Sequence, residues 1–589
     1  MHNVIPKTNL KGLSVILFSF TPFDLARISI GKKYQSKITF RNALYKVLNI
    51  IKFKISLTLY DYIIRNGLIV DGCGNPWFRA DLGIKNGRIA AIKRSITSKS
   101  EKTIDAKKLI VAPGFIDIHS HSDLCLIFDG CAQSKIRQGV TTEVVGNCGM
   151  SAAPISKDQK IEIKRHSSFL LPPGVEVDLA WNSVAEYLET LEKRGISVNV
   201  VTLVGHGNLR IWSLGYSDAK PTKRQIREMK ALLEQSIKEG AFGFSTGLMY
   251  SPSGYASTDE LIELAKVASK SCGIHASHIR NEGERVFDAI KEIIEISKAS
   301  GVSAEISHIK SQPPEFWGHI PGILGLIEGA RRSGVDVTCD AYPYTAGSTY
   351  LSAVVLPLWV VEGGIGMLVK KLRDSNLRAK IKKESLRRHY YRREDCNRIF
   401  ICASTRFKEY EGLSIGEVAR SKGEDPVDFM LDLLEEDPSI QVILDFMDEN
   451  EVKYALGHPL TMIGSDGYAL NTKGPLGEGK PHPRSYGTFP RVLAKYVREE
   501  AIIRLEEAIR KMTSYPAQRL GLRARGKIAI GFWADLTLFS MEGIKDEATY
   551  LNPHRYPSGI EYVLVNGELV IEEGEHTGAK PGRVLRHSI

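Results

Sequence analysis

Residues 112–121 read Ala112-Pro113-Gly114-Phe115-Ile116-Asp117-Ile118-His119-Ser120-His121, and the apolar run Leu109-Ile110-Val111 leads into them. The run predicts a buried strand with polar residues at its C-terminal end. Residues two apart on a strand share a face, so His119 and His121 are expected to project side by side. Two neutral imidazoles placed in this way can share one metal ion. A lone His-X-His also serves as satisfied polar core, so the pair decides little by itself. The rest of the chain adds weight, because it supplies a Cys, two more His and an Asp, each at the end of a later predicted strand.

Working outward, apolar runs predict seven further strands at 142–146, 198–204, 241–245, 273–277, 303–307, 335–339 and 462–464. Helical stretches separate them, such as those at 223–239, 258–271, 284–300 and 321–333. Eight alternating βα units predict an α/β fold, a TIM-type (β/α)8 barrel, with functional groups at the strand C-termini. Residues 345–457 are too many for one βα loop and are expected to hold helix 7 and an inserted lid subdomain over the barrel mouth.

Both ends of this body carry Asn-Gly signals. Asn66-Gly67 and Asn86-Gly87 near the start, and Asn566-Gly567 near the end, each predict a hairpin turn. The expected organisation is a small β-sandwich built from 60–112 and 525–577, flanking a barrel at 113–524.

The chain has 589 residues, of which 43% are hydrophobic and 25% charged, an ordinary balance for a globular protein. The net charge of +11 is concentrated at the start. Residues 1–60 carry ten Lys/Arg against one acidic residue, Asp24, which leaves about +2 for everything after Tyr60. The body is therefore near neutral and has no aromatic-interleaved basic stripe, which argues against nucleic acid as a partner. Residues 1–59 lack periodicity, and the apolar stretch Leu13–Phe20 is followed by no convincing cleavage site. They are expected to be a poorly ordered basic extension or sequence upstream of the true start, in preference to a membrane-surface segment. No apolar stretch has the length to span a bilayer. The eight cysteines are scattered without a disulfide-like or paired-zinc spacing, and the expected compartment is the cytoplasm.

The polar residues at the strand ends form a set. Gly146-Asn147-Cys148-Gly149 ends the second strand, and a Cys between glycines is well placed as a thiolate ligand. His275-Ala276-Ser277-His278 ends the fifth strand, Ser307-His308-Ile309-Lys310 the sixth and Ser465-Asp466-Gly467 the eighth. A thiolate and two imidazoles make a zinc set with one open position. Such a zinc polarises an amide carbonyl and lowers the pKa of bound water. Asp466 is then available to take the water's proton and return it to the leaving nitrogen. Together these parts predict metal-assisted hydrolysis.

At these residues the chain resembles the amidohydrolase superfamily and, within it, the D-aminoacylase (N-acyl-D-amino-acid deacylase) branch. Most binuclear amidohydrolases bridge their metals with a carboxylated Lys at the fourth strand. Here that strand reads Gly240-Ala241-Phe242-Gly243-Phe244-Ser245-Thr246-Gly247, with no Lys at its exit, whereas Cys148 matches the Cys this branch uses. Gly205-His206-Gly207-Asn208, Tyr342-Pro343-Tyr344 and His482-Pro483-Arg484 match as well, and the likeness runs from about Tyr60 to about Gly574. The resemblance implies a tight zinc on Cys148, His278 and His308, with His278 preferred to His275 because Arg280 follows it by two. It implies a weaker second metal position at His119, His121 and Asp466, sharing Cys148, and Asp466 as general acid and base. It also implies substrate-carboxylate binding by Lys310, Arg484 and Tyr250, with Tyr342 and Ser348 lining the pocket. The expected reaction is hydrolysis of the linear amide of a small N-acyl-D-amino acid. Two other readings stand beside it: a cyclic-amide hydrolase of the hydantoinase or dihydroorotase kind, disfavoured by the missing Lys, and a non-catalytic metal-binding barrel.

Overall fold

The structure is a computed structural model that describes residues 60–156, 170–387 and 395–588; the basic extension expected at 1–59 lies outside them. The chain divides into two units, Met1–Tyr62 with Thr97–Lys102 and Ile63–Ile96 with Thr103–Ile589, and the second unit carries the barrel.

Eight barrel strands follow one another at Phe115–Asp117, Val140–Val145, Asn199–Thr202 (continued by Val204–Gly205), Gly243–Gly247, Ile274–His278, Ser303–Ile306, Val337–Ala341 and Thr461–Ile463. Each pairs in parallel with the next. The ring closes through backbone bonds beyond the last ladder: Asp466 N–H donates to the His119 carbonyl at 2.7 Å and His121 N–H to that of Gly467 at 2.9 Å. Every residue of Val140–Val145 and of Ile274–His278 is buried, as expected for parallel strands covered on both faces. The covering helices read as amphipathic segments with defined starts. Lys223–Lys238 begins at a capping box made by Thr222 and Gln225 and buries Met229, Leu233, Ser236 and Ile237, one stripe at helical spacing.

Two expectations from the sequence are corrected. The run through residues 109–121 is not one strand. Ile110–Pro113 pairs with Leu536–Phe539 in the terminal sheet, and Phe115–Asp117 starts the barrel. The break is at Gly114, where a Cβ would lie 2.2 Å from Thr141 Oγ1, so only glycine lets the chain pass from one sheet to the other. Asn66-Gly67 does not turn the chain either, and the strand Tyr60–Ile69 runs through it. Asn66 takes a left-handed conformation, its N–H bonding Asp81 Oδ1 at 2.9 Å and its amide Asp105 Oδ1 at 2.8 Å. The other two Asn-Gly pairs do turn, closing hairpins between Phe78–Lys85 and Arg88–Lys93 and between Ile560–Val565 and Glu568–Glu572. Strands from both ends of the body join in one hydrogen-bonded sheet.

Between the seventh barrel strand and the helix Glu449–Gly457 lies a subdomain with its own core. Gly347–Tyr350 and Ile399–Ala403 both pair antiparallel with Gln441–Leu444. Leu351, Val355, Leu372, Met430 and Val442 are fully buried in the core beneath them.

Lys135 is fully buried where the first and eighth strands meet. Its ammonium donates to Asp117 Oδ2 at 2.7 Å and Ser465 Oγ at 2.6 Å, with Glu143 Oε2 at 3.5 Å. Lys135→Met leaves two buried carboxylates without their cation, and such a loss costs about 3–5 kcal/mol. The variant's urea midpoint should fall accordingly; an unchanged midpoint would show that the network adds no stability.

Candidate metal centre and substrate site

Three residues at the barrel mouth hold left-handed backbone angles, which non-glycine residues seldom adopt: Cys148 (φ 52°), His308 (φ 36°) and Asp466 (φ 52°). Each closely follows a barrel strand, and the three line one cavity. Such conformations persist only where the surroundings enforce them, and they gather at functional sites. The glycines beside Cys148 are part of the enforcement. A Cβ on Gly146 would meet the Leu203 carbonyl oxygen at 2.1 Å, and one on Gly149 would meet Gly247 N at 2.6 Å.

The Cys148 sulfur is ringed by imidazoles. His119 Nε2 lies 3.3 Å from Sγ, His308 Nε2 3.5 Å and His278 Nδ1 3.8 Å. Asp466 Oδ1 lies 3.0 Å from His121 Nε2 and 3.4 Å from His119 Nε2. Its other oxygen lies 2.7 Å from Arg484 Nη1. Lys310 Nζ is 2.6 Å from Glu282 Oε1, and that oxygen is 3.6 Å from His278 Nε2 and 3.5 Å from His308 Nδ1. The Arg484 guanidinium lies over the Tyr342 ring at 4.9 Å and donates to the Ser348 carbonyl at 3.2 Å. The Tyr250 hydroxyl is 3.1 Å from Thr349 Oγ1, and its ring is edge-on to His278. One cavity is bordered by all the residues expected from the sequence except His119, which lies beneath it against Cys148 and Asp466.

The charges follow from these contacts. Burial by itself raises the Cys148 thiol, but the His119 and His308 rings outweigh it and hold the group well below the usual thiol range. Burial also opposes ionisation of Asp466, and Arg484, His308 and His119 overcome it, so this carboxyl too sits well below its ordinary range. Burial lowers His121, while its bond to Asp466 and the nearby Cys148 bring it up to about 9. Glu282 is held ionised by Lys310 and two imidazoles against burial, and Lys310 is held protonated by Glu282.

These donors fit zinc. A tetrahedral zinc with Zn–S about 2.3 Å and Zn–N about 2.0–2.1 Å sets its sulfur and nitrogen ligands about 3.6 Å apart. The three Cys148–imidazole separations of 3.3, 3.5 and 3.8 Å fall around that value. Ligand atoms of His119, Cys148, His308 and Asp466 lie within 4.8 Å of one another, as do those of His278, Glu282 and His308. Buried His278 Nε2 and His121 Nδ1 also have no hydrogen-bond partner.

His275 is turned elsewhere: its ring stacks on Phe244 at 4.4 Å and its Nε2 meets Thr246 Oγ1 at 2.9 Å. Two acidic residues at the site were not anticipated. Asp340 Oδ2 lies 3.3 Å from His119 Nδ1, while its Oδ1 accepts the His308 N–H at 2.8 Å, so one carboxylate orients two imidazole-bearing residues. The signal for it was an Asp at the C-terminal end of a barrel strand. Glu282, four residues beyond His278 in a loop, gave no such signal.

The barrel and the thiolate–imidazole cluster at its C-terminal mouth define a hydrolase of the metal-assisted barrel class. Residues 102–571 match the model of the amidohydrolase family. The N-acyl-D-glutamate deacylase of Alcaligenes xylosoxydans xylosoxydans is 36% identical over 89% of this chain and 96% of its own. The D-aminoacylase of the same organism is 35% identical over 89% and 97%. The crystal structure of N-acyl-D-glutamate deacylase from Bordetella bronchiseptica, complexed with zinc and a phosphonate that mimics the tetrahedral intermediate, superposes with a TM-score of 0.77. It is 36% identical and spans 90% of this chain and 99% of that one. The chain belongs to the amidohydrolase family and, within it, to the N-acyl-D-amino-acid deacylase branch.

Proposed function

We propose that the protein hydrolyses the linear amide bond of N-acyl-D-amino acids with zinc as cofactor, releasing a carboxylic acid and a free D-amino acid. The observation that carries this reading is the Cys148 thiolate ringed by His119, His278 and His308, with Lys310 and Arg484 on the same cavity. Cys148, His278 and His308 hold the tight zinc; His119, His121 and Asp466, with Cys148, make a weaker second position. Bound there, zinc supplies Lewis acidity toward the amide carbonyl and toward water. Asp466 takes the proton of the attacking water and gives it to the leaving nitrogen, one carboxylate serving both transfers.

Lys310, Arg484 and Tyr250 bind the substrate carboxylate, and Tyr342 and Ser348 shape the pocket around it. Arg484 supports this role. Its Nη1 is buried and near Asp466 but aligned with no acceptor, so it retains a donor for an incoming carboxylate. Losing one charge-assisted bond of this kind costs about 1.5–3 kcal/mol. Arg484→Ala should therefore raise KM by about 10–100-fold with a smaller change in kcat; an unchanged KM would remove Arg484 from substrate binding.

In this reading the barrel domain begins at Gly114, and the subdomain inside 345–457 forms part of the mouth. None of the eight cysteines forms a disulfide, and no helix among the described residues is long and apolar enough to cross a membrane. The cysteine usage supports a cytoplasmic setting. The reading is tested by assaying N-acetyl-D-methionine, its L-enantiomer and a hydantoin with the same preparation. Release of the free D-amino acid alone is expected, and ring opening of the hydantoin without amide cleavage would favour the cyclic-amide alternative.

A further inference from the structure

We propose that this site receives an uncharged substrate side chain, turning over N-acyl derivatives of residues such as D-methionine, D-leucine and D-glutamine and excluding those of D-glutamate and D-aspartate. The proposal rests on the deacylase reading and extends it to the choice among D-amino acids. Similarity by itself does not make this choice, since the relatives at 36, 35 and 33% identity are a D-glutamate deacylase, a D-aminoacylase and a D-aspartate deacylase.

An acyl-D-glutamate brings two carboxylates into the cavity. Among the described residues lining it, the ammonium and guanidinium groups are those of Lys310 and Arg484, and the imidazoles there belong to the metal cluster. Both cations already face an internal carboxylate, Lys310 at 2.6 Å from Glu282 and Arg484 at 2.7 Å from Asp466. The donors they have left serve the α-carboxylate that every substrate of this class carries. A side-chain carboxylate would enter with no cation of its own.

The remaining wall suits an uncharged group. Met150, Met249, Val354 and Leu444 offer apolar surface. Tyr350 and Tyr468 add phenol rings to the same wall. The carboxylates of Asp466 and Glu282 already stand on this cavity, each against one of its two cations. A second carboxylate would be desolvated there without a cation of its own, whereas an apolar side chain gains from each buried methylene.

The test compares pairs that differ in charge and hardly in shape. N-acetyl-D-glutamine against N-acetyl-D-glutamate, and N-acetyl-D-asparagine against N-acetyl-D-aspartate, are assayed for kcat/KM with the zinc-loaded full chain, beside N-acetyl-D-methionine and N-acetyl-D-leucine. Taking an ionised group out of water without a partner is strongly unfavourable, so the amide of each pair should exceed its acid by about 10³-fold. An acid within tenfold of its amide, or preferred to it, overturns the proposal and leaves the deacylase reading intact. Hydrolysis of none of the six overturns that reading and the proposal with it.

Discussion

Asp466→Asn is expected to retain its tight zinc and lose nearly all turnover. The zinc trio does not include Asp466, so metal content should change little. The side chain keeps its shape, and the carbonyl oxygen of Asn can occupy the place of Oδ1, 3.0 Å from His121 Nε2. The amide cannot take a proton at neutral pH, whereas Asp466 is ionised there because Arg484, His308 and His119 overcome its burial. General acid–base catalysis contributes typically ~10²–10⁴-fold, and one residue here serves both transfers, so kcat should fall at the upper end of that range. The loss belongs to kcat more than to KM, because Lys310 and Arg484 remain. Steady-state kinetics with zinc analysis on the same sample decides it: near-normal kcat places the base elsewhere.

The second large effect is at Cys148. Cys148→Ala replaces a thiolate by a methyl group, and a zinc ligand has no substitute there. Removing an outer partner of a metal ligand costs about 10–100-fold in affinity, and removing the ligand itself should cost more. The variant should purify without its tight zinc and without activity. Both residues carry a Cβ, so the left-handed backbone at φ 52° is no more costly for Ala, and the fold should survive. Full metal retention in a folded variant would take Cys148 out of the centre.

Much of this site was legible because parallel barrels announce themselves. Each strand is a short buried run, and the polar residue that ends it lies at the functional face. Cys148, His308 and Asp466 stand out in this way, whereas His278 is separated from His275 only by the family resemblance, through the Arg280 that follows it. Strand alternation predicts the pairing of His119 and His121, and the structure brings it about by other means. The two rings lie 5.4 Å apart, but not by strand alternation, since the ladder ends at Asp117. Backbone bonds to Gly467 and Asp466 bring them round. The Asn-Gly pairs show the same limit: one local signal gives two turns and one strand that runs straight on, and the difference lies in Asp81 and Asp105, which are distant in sequence. Glu282 escaped notice because its meaning is its contact with Lys310, His278 and His308. The pairing of Gly347–Tyr350 with Gln441–Leu444 is likewise non-local, and no local pattern encodes it.

The central claim is that a thiolate–imidazole zinc centre cleaves the amide of an N-acyl-D-amino acid. The most direct measurement follows zinc per chain and N-acetyl-D-methionine hydrolysis together as a chelator removes the metal and added zinc restores it. The account predicts that activity disappears with the tightly held zinc and returns with its replacement. A metal-free chain that still hydrolyses the substrate at full rate would contradict it.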